Sequence, residues 1–259
     1  SFMCDKASFA VASIKDDTHS FIAYYDDTML EAAIKYKTIV DEFDDAIKAG
    51  EFKMYLQPQI SAKTRRLTGA EALVRRIKPD GTIISPIDFI PVYEKSGLIS
   101  RLDRYIWEQA AAKLGEWKKA GINMSISVNI SPKDFYYIDI FNTFAGLIKK
   151  YDIEPSNLKI EITETTIMSD VPNLMGELEE LRKAGFTLEM DDFGSGYSSL
   201  NTLKDINVDV LKVDMGFIKE TKNVKKSRII LASVIKMAKE LNLLIITEGV
   251  ETEEQVDNL

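Results

Sequence analysis

The stretch "LKIEIT", residues 158–163, alternates with period two: Leu158, Ile160 and Ile162 fall on one face, Lys159, Glu161 and Thr163 on the other. Successive side chains of a β-strand leave opposite faces of the sheet, so this pattern predicts a strand. Two further segments repeat it. In "SISVN" (125–129), Ile126 and Val128 oppose Ser125, Ser127 and Asn129. In "FTLEMD" (186–191), Phe186, Leu188 and Met190 oppose Thr187, Glu189 and Asp191. Strands that are apolar towards an outer helical layer and polar towards the inside suit a barrel with a polar site.

Working outward, further short apolar runs fall at 53–60, 67–75, 208–213 and 243–249, the last without clean alternation. Helical patterns lie between most of these runs. One, 100–121, opens with Ser100 and Asp103 at capping-box-like spacing and ends at a glycine. Others cover 174–185 and 227–242. Strands alternating with helices imply a parallel sheet, and the number of repeats predicts a (β/α)8-type, TIM-like barrel. A doubly wound open sheet is the alternative. No GxGxxG or P-loop follows the first strand, which counts against a nucleotide-binding open sheet.

Composition narrows the function. At 259 residues the chain is one large domain, or a domain plus a fragment, with room for a substantial core. The apolar share of 45% and charged share of 29% are those of a soluble globular protein. Cys4 is the one cysteine, which excludes a disulfide framework and fits a reducing compartment. His19 is the one histidine and lies in a polar N-terminal stretch, so multi-histidine zinc sites and a Ser-His-Asp triad in the later segments are excluded. The longest apolar runs, such as 243–246, are too short to span a bilayer, and no signal-peptide pattern opens the chain. A cytoplasmic location is expected, with any membrane attachment through regions outside this sequence. A net charge of −8 without a long Lys/Arg block disfavours binding to duplex nucleic acid. A phosphorylated ligand remains possible where a local cation or a few arginines reverse the field.

The ends of the predicted strands carry Glu71, Asn129, Glu161, Asp191–Asp192, Lys212 with Asp214, and Glu248 with Glu251. In a barrel the C-terminal ends of parallel strands converge on one mouth, where active sites form. Carboxylates crowded there would repel one another unless a cation sat among them. Oxygen ligands without histidine or cysteine point to Mg²⁺ or Mn²⁺. Asp191, which opens "DDFGSGYSSL" (191–200), is therefore expected to be a metal ligand.

From about residue 45 to the last residue, the sequence resembles the EAL-domain cyclic di-GMP phosphodiesterases. The resemblance is carried by "YLQPQI" (55–60), "GAEALVR" (69–75), "SPIDFIP" (85–91), "SVNISP" (127–132), "EITE" (161–164), "DDFGSGYSSL" (191–200), "LKVD" (211–214) and "TEGVETEEQ" (247–255). It implies an antiparallel first barrel strand and hydrolysis of cyclic di-GMP to linear pGpG with one or two Mg²⁺ or Mn²⁺ ions. Glu71, Asn129, Glu161 and Asp191 would hold the first ion; Asp192, with Glu248, would complete a second that Asp191 bridges. Lys212 would orient the attacking water, and Glu248 is alternatively its general base. Gln57, Leu73, Arg75 and Asp214 would contact the ligand, and Glu164 would pin the loop 193–199, which commonly lies at a dimer interface. A homodimer through this domain is expected.

Ser195 and Thr247 are mild departures from the family's usual Thr and Ala. The family continues past "EEQVDNL" through a further strand, so closure of the barrel and ligand binding are expected to depend on chain beyond Leu259. Residues 3–27 resemble the last helix and strand of a GGDEF-type domain, though no GGDEF signature is present. The expected organisation is a GGDEF-like remnant (1–30), a linker helix (31–50) and the EAL domain (51–259). Two other functions compete: a catalytically silent cyclic di-GMP receptor, and a barrel enzyme for another phosphodiester or a carboxylate substrate.

Overall fold

Period-two and period-3.6 stretches emerge as strands and helices close to the expected bounds in the computed structural model, which describes residues 2–13, 22–169, 171, 173–193, 203–204, 206–214 and 224–257. In chain order the elements are α1 (Phe2–Ser13), α2 (Asp27–Asp41), α3 (Phe43–Lys48), β1 (Phe52–Ile60), β2 (Leu67–Ile77), β3 (Ile83–Ile84) and α4 (Pro86–Ser96). Next come α5 (Ile99–Lys119), β4 (Ser125–Asn129), α6 (Asp134–Tyr137), α7 (Ile140–Tyr151), β5 (Leu158–Thr163), α8 (Glu164–Ile167) and α9 (Leu174–Lys183). Then follow β6 (Leu188–Asp191), β7 (Val210–Asp214), α10 (Val224–Glu240), β8 (Leu244–Glu248) and α11 (Glu253–Asp257). The chain forms two compact units: residues 1–53 with 75–98, and residues 54–74 with 99–259.

In the first unit, Asp26 caps α2 by accepting from the backbone N–H groups of Thr28 and Met29. The expected continuous linker helix is instead two helices meeting at Glu42. Residues 22–26 carry no regular element, and 14–21, which include His19, lie outside the described residues. The core is aromatic: the Phe43 and Tyr93 rings are 4.9 Å apart, Phe52 and Phe89 5.8 Å. Beside it Arg76, only 2% exposed, bonds Glu42 at 2.7 Å and Glu51 at 2.9 Å. The two-residue strand β3, which the sequence pattern did not show, pairs with the end of β2.

In the second unit the sheet order is β1-β2-β4-β5-β6-β7-β8. The turn between β1 and β2 is closed by the Ser61 N–H donating to the Arg66 carbonyl at 2.9 Å, and so short a link joins antiparallel strands. From β2 to β8 all neighbouring strands on this path run parallel. This is the TIM-like barrel topology with an antiparallel first strand. Among the described residues β8 has β7 as its strand neighbour.

Gly69 lets β2 approach β4: a Cβ there would lie 2.5 Å from Ser125 Oγ and 2.8 Å from the Ser125 carbonyl. The apolar faces pack as read, with Ile126, Val128, Leu158, Ile160, Ile162, Leu188 and Met190 all at 0% exposure. Helix α5 buries Ile99, Leu102, Ile106, Ala110 and Leu114 at helical spacing. It begins before Ser100, which is buried in its first turn, so the expected capping box is not formed. Trp107 lies 4.8 Å from Phe144, and its indole N–H donates to the Asn129 carbonyl at 2.9 Å. No described helix is long and apolar enough to cross a membrane.

Candidate active site

Strand register delivers the polar face of the second unit to one end of the sheet. Asn129 pairs with Glu161, Thr163 with Asp191, and Asp214 with Glu248. Asp191 ends β6, and Asp192 follows with φ +56°, a left-handed conformation that aspartate tolerates better than most residues and that turns the chain at once. Its N–H donates to Asp191 Oδ1 at 2.8 Å.

The convergence has a single centre. Lys212 Nζ lies 2.7 Å from Glu161 Oε1, 2.8 Å from Glu248 Oε1, 3.1 Å from Glu71 Oε2 and 3.2 Å from Asp191 Oδ2. Lys212 is 1% exposed and Glu161 0%, while Glu248 at 38% opens to solvent. Asn129 Nδ2 donates to Glu71 Oε1 at 3.4 Å, which places Asn129 at the edge of the set.

Electrostatics follow from this crowding. Burial by itself would lower the Lys212 pKa, but the Glu161, Asp191 and Glu71 carboxylates outweigh it, and the ammonium is held well above its ordinary range. Burial pushes Glu161 well above the ordinary carboxyl range; Lys212 opposes this, while Glu71 and Glu189 add to it. Glu248 is also raised, first by burial and then by Asp191 and Glu71, against the pull of Lys212. Asp192 is raised by desolvation and by its neighbour Asp191.

Among the described residues no three acidic, histidine or cysteine side chains form a metal-holding group; the four carboxylates turn to the lysine ammonium instead. The donor chemistry nonetheless fits a hard divalent cation. Four carboxylates face one ammonium, and Glu161 Oε2 is buried without a hydrogen-bond partner among the described residues.

Of the sequence-derived candidates, Glu71, Glu161, Asp191, Lys212 and Glu248 form the cluster. Leu73 is half-buried on β2, Gln57 is exposed on β1, and Asp214 is exposed at the end of β7. Arg75 belongs to the first unit. Glu251 is exposed beyond β8, its N–H donating to Gln255 Oε1 at 2.6 Å. Glu164 is buried at the start of α8, but 194–200, most of the loop it was expected to pin, lies outside the described residues, with Ser195 among them. A buried ion pair on the same inward faces, Lys159 with Glu189 at 2.9 Å, joins β5 to β6 and is not among the sequence-derived candidates. The signal was the position of Glu189, one pleat below Asp191.

Comparison with known proteins gives the family. Residues 40–259 match the EAL domain family. The signaling protein YkoW of Bacillus subtilis is 33% identical over 250 residues, covering 96% of this chain and 31% of YkoW. The probable cyclic di-GMP phosphodiesterase PdeG of Escherichia coli is 37% identical over 221 residues, covering 83% of this chain and 42% of PdeG. The chain thus spans less than half the length of these curated relatives. The structure of the PaMucR phosphodiesterase in complex with c-di-GMP superposes with a TM-score of 0.79 at 32% identity, covering 86% of this chain and 90% of that one. With strand order and family match in agreement, the chain belongs to the EAL domain family.

Proposed function

We propose that this chain hydrolyses cyclic di-GMP to linear pGpG with the help of Mg²⁺ or Mn²⁺. One observation carries the reading: among the described residues one buried ammonium, Lys212, faces four carboxylates, a surplus of negative charge that calls for further cations. That relatives of similar identity include a probable cyclic di-GMP phosphodiesterase, and a phosphodiesterase solved with c-di-GMP, supports the choice of substrate.

Glu71, Asn129, Glu161 and Asp191 would hold one ion, and Asp191 with Asp192 a second. When bound, such ions supply a nucleophilic water at neutral pH and neutralise charge at phosphorus. Lys212, charged throughout the physiological range, keeps the carboxylates in place and stabilises charge on the phosphate. Glu248, half-open to solvent and with a raised pKa, is suited to accept the proton of the attacking water. As the water oxygen bonds to phosphorus, the ring phosphodiester bond breaks and the departing sugar oxygen takes up a proton. Arg75 would bind a phosphate oxygen through its planar fork, with Gln57, Leu73 and Asp214 contacting the nucleotide and Glu164 supporting the neighbouring loop.

The proposed domain plan keeps residues 1–30 as a GGDEF-like remnant and 31–50 as a joining segment. The proposed assembly is a cytoplasmic homodimer through the EAL domain.

The deciding experiment incubates purified protein with cyclic di-GMP in Mg²⁺, Ca²⁺ or EDTA and resolves the products. Linear pGpG in Mg²⁺, with little in Ca²⁺ or EDTA, is the expected result. Binding of cyclic di-GMP without any hydrolysis would make the chain a receptor instead.

A further inference from the structure

Beneath the Lys212 cluster, on the inward faces of β5 and β6, Lys159 Nζ lies 2.9 Å from Glu189 Oε1; Glu189 is fully buried and Lys159 17% exposed. Register sets Glu189 directly opposite Glu161, and Lys159 opposite Ser127. Carboxylates facing each other across neighbouring strands repel, the more so in a dry interior. Here each has its own ammonium: Lys212 for Glu161 at 2.7 Å and Lys159 for Glu189. Each carboxylate also keeps its Oε2 buried without a hydrogen-bond partner among the described residues.

Lys159 and Glu161 stand two residues apart on one strand face, about 7 Å between Cα atoms, within the reach of a lysine side chain. Among the described residues the Glu189 carboxylate is the ion-pair partner that turns that ammonium sideways. We infer that Lys159 and Glu189 form a positioning pair, in which Glu189 holds the Lys159 ammonium off Glu161 so that Glu161 keeps an oxygen free for a divalent cation. The inference rests on the cation-dependent reading above and adds residues that touch neither cation nor substrate.

Breaking the pair from either side should have opposite consequences. Glu189→Gln removes a charge but little volume, and the released Lys159 ammonium turns to Glu161, the next carboxylate on its face. Mn²⁺ affinity should then fall about tenfold, the scale expected for a unit charge brought close in a weakly screened site. Lys159→Gln frees the Glu189 carboxylate and should tighten Mn²⁺ severalfold. The double variant Lys159→Met/Glu189→Gln replaces a buried pair by neutral groups, a change proteins often tolerate, and should return close to the unmodified affinity.

The test is Mn²⁺ titration by calorimetry on all four proteins, with melting curves to verify that each is folded. Affinity unchanged in both single variants, or lowered equally in both, overturns the inference, because a purely structural pair would move only the melting temperature. If Glu189→Gln does not fold, the sign of the Lys159→Gln shift decides. A protein that binds Mn²⁺ without hydrolysing cyclic di-GMP removes the catalytic reading alone, and the sign test still applies. An unmodified protein that binds no Mn²⁺ removes both.

Discussion

Two buried cations in this chain keep very different company. Arg76, 2% exposed, bonds Glu42 and Glu51, and Lys78 lies 3.6 Å from Glu42, so two cations meet two carboxylates. Lys212, 1% exposed, meets four carboxylates and is the one cation paired with them among the described residues. The first arrangement is complete, and its role is to hold α2, α3 and β2 together. The second has charge left over, which a fold built only for stability would not retain, since like charges brought together in the interior are costly. The balance of charge around a buried cation, rather than its burial, separates scaffold from site.

The strongest way to break this contrast is Lys212→Met. It should lower hydrolysis at least about 100-fold. It should also destabilise the protein by about 3–5 kcal/mol at neutral pH, as expected when one partner of a buried ionic set is removed. Product assays and urea unfolding check both, and normal turnover in this variant would end the assignment of Lys212.

Arg76→Met should cost a comparable about 3 kcal/mol of stability while leaving Mn²⁺ affinity within about twofold. It should also change the acid response. Burial raises the Glu42 carboxyl, but Arg76 more than offsets this and the net shift is downward. The contribution of Glu42 is thus present above the ordinary carboxyl pKa and lost as pH falls through the lowered one. That part of the acid loss should vanish in Arg76→Met, as unfolding curves between pH 6 and pH 3 can show.

A smaller effect sharpens the comparison from the other side. The raised pKa of Glu248 means that the folded state holds its proton more tightly than the unfolded state, so stability falls as pH climbs from the ordinary carboxyl pKa through the raised one. Glu248→Gln should therefore abolish turnover yet raise the melting temperature at pH 7.5, by up to about 2 °C, and leave it unchanged at pH 4. The smallest change at neutral pH belongs to Tyr93→Phe. Burial pushes the Tyr93 hydroxyl up to about 12, so the wild-type protein should lose stability as pH rises from 10 towards 12, and the phenylalanine variant should lose less.

The same comparison explains what could be read from the sequence. Asn129, Asp191 and Glu248 were legible as strand ends and Glu161 through alternation, whereas Glu71, in the middle of the long β2, and Lys212, inside β7, reach the same cluster from further down their strands. That Lys212 would stand at their centre was not legible, because alternation gives a face and an end but no side-chain reach. Arg76 was hidden for a related reason: its burial is made tolerable by Glu42, which lies 34 residues away and marks a helix break that local pattern does not show. Ser100 misled through spacing alone, since a serine three residues before an acid caps a helix only when it precedes the first turn. Gly69 was visible as part of a motif, but its reason, the nearness of Ser125, belongs to the assembled sheet.

The bond from the Trp107 indole to the Asn129 carbonyl gives the site a built-in optical reporter. The chain holds two tryptophans, and Trp107, 1% exposed, is fastened at 2.9 Å to the strand end that carries the candidate ligand Asn129. Its emission should be blue and sensitive to small displacements of β4, while Trp117, partly open to solvent, supplies a redder background. Filling or emptying the site can therefore be followed by fluorescence on the unlabelled chain, without attaching a dye to the barrel mouth.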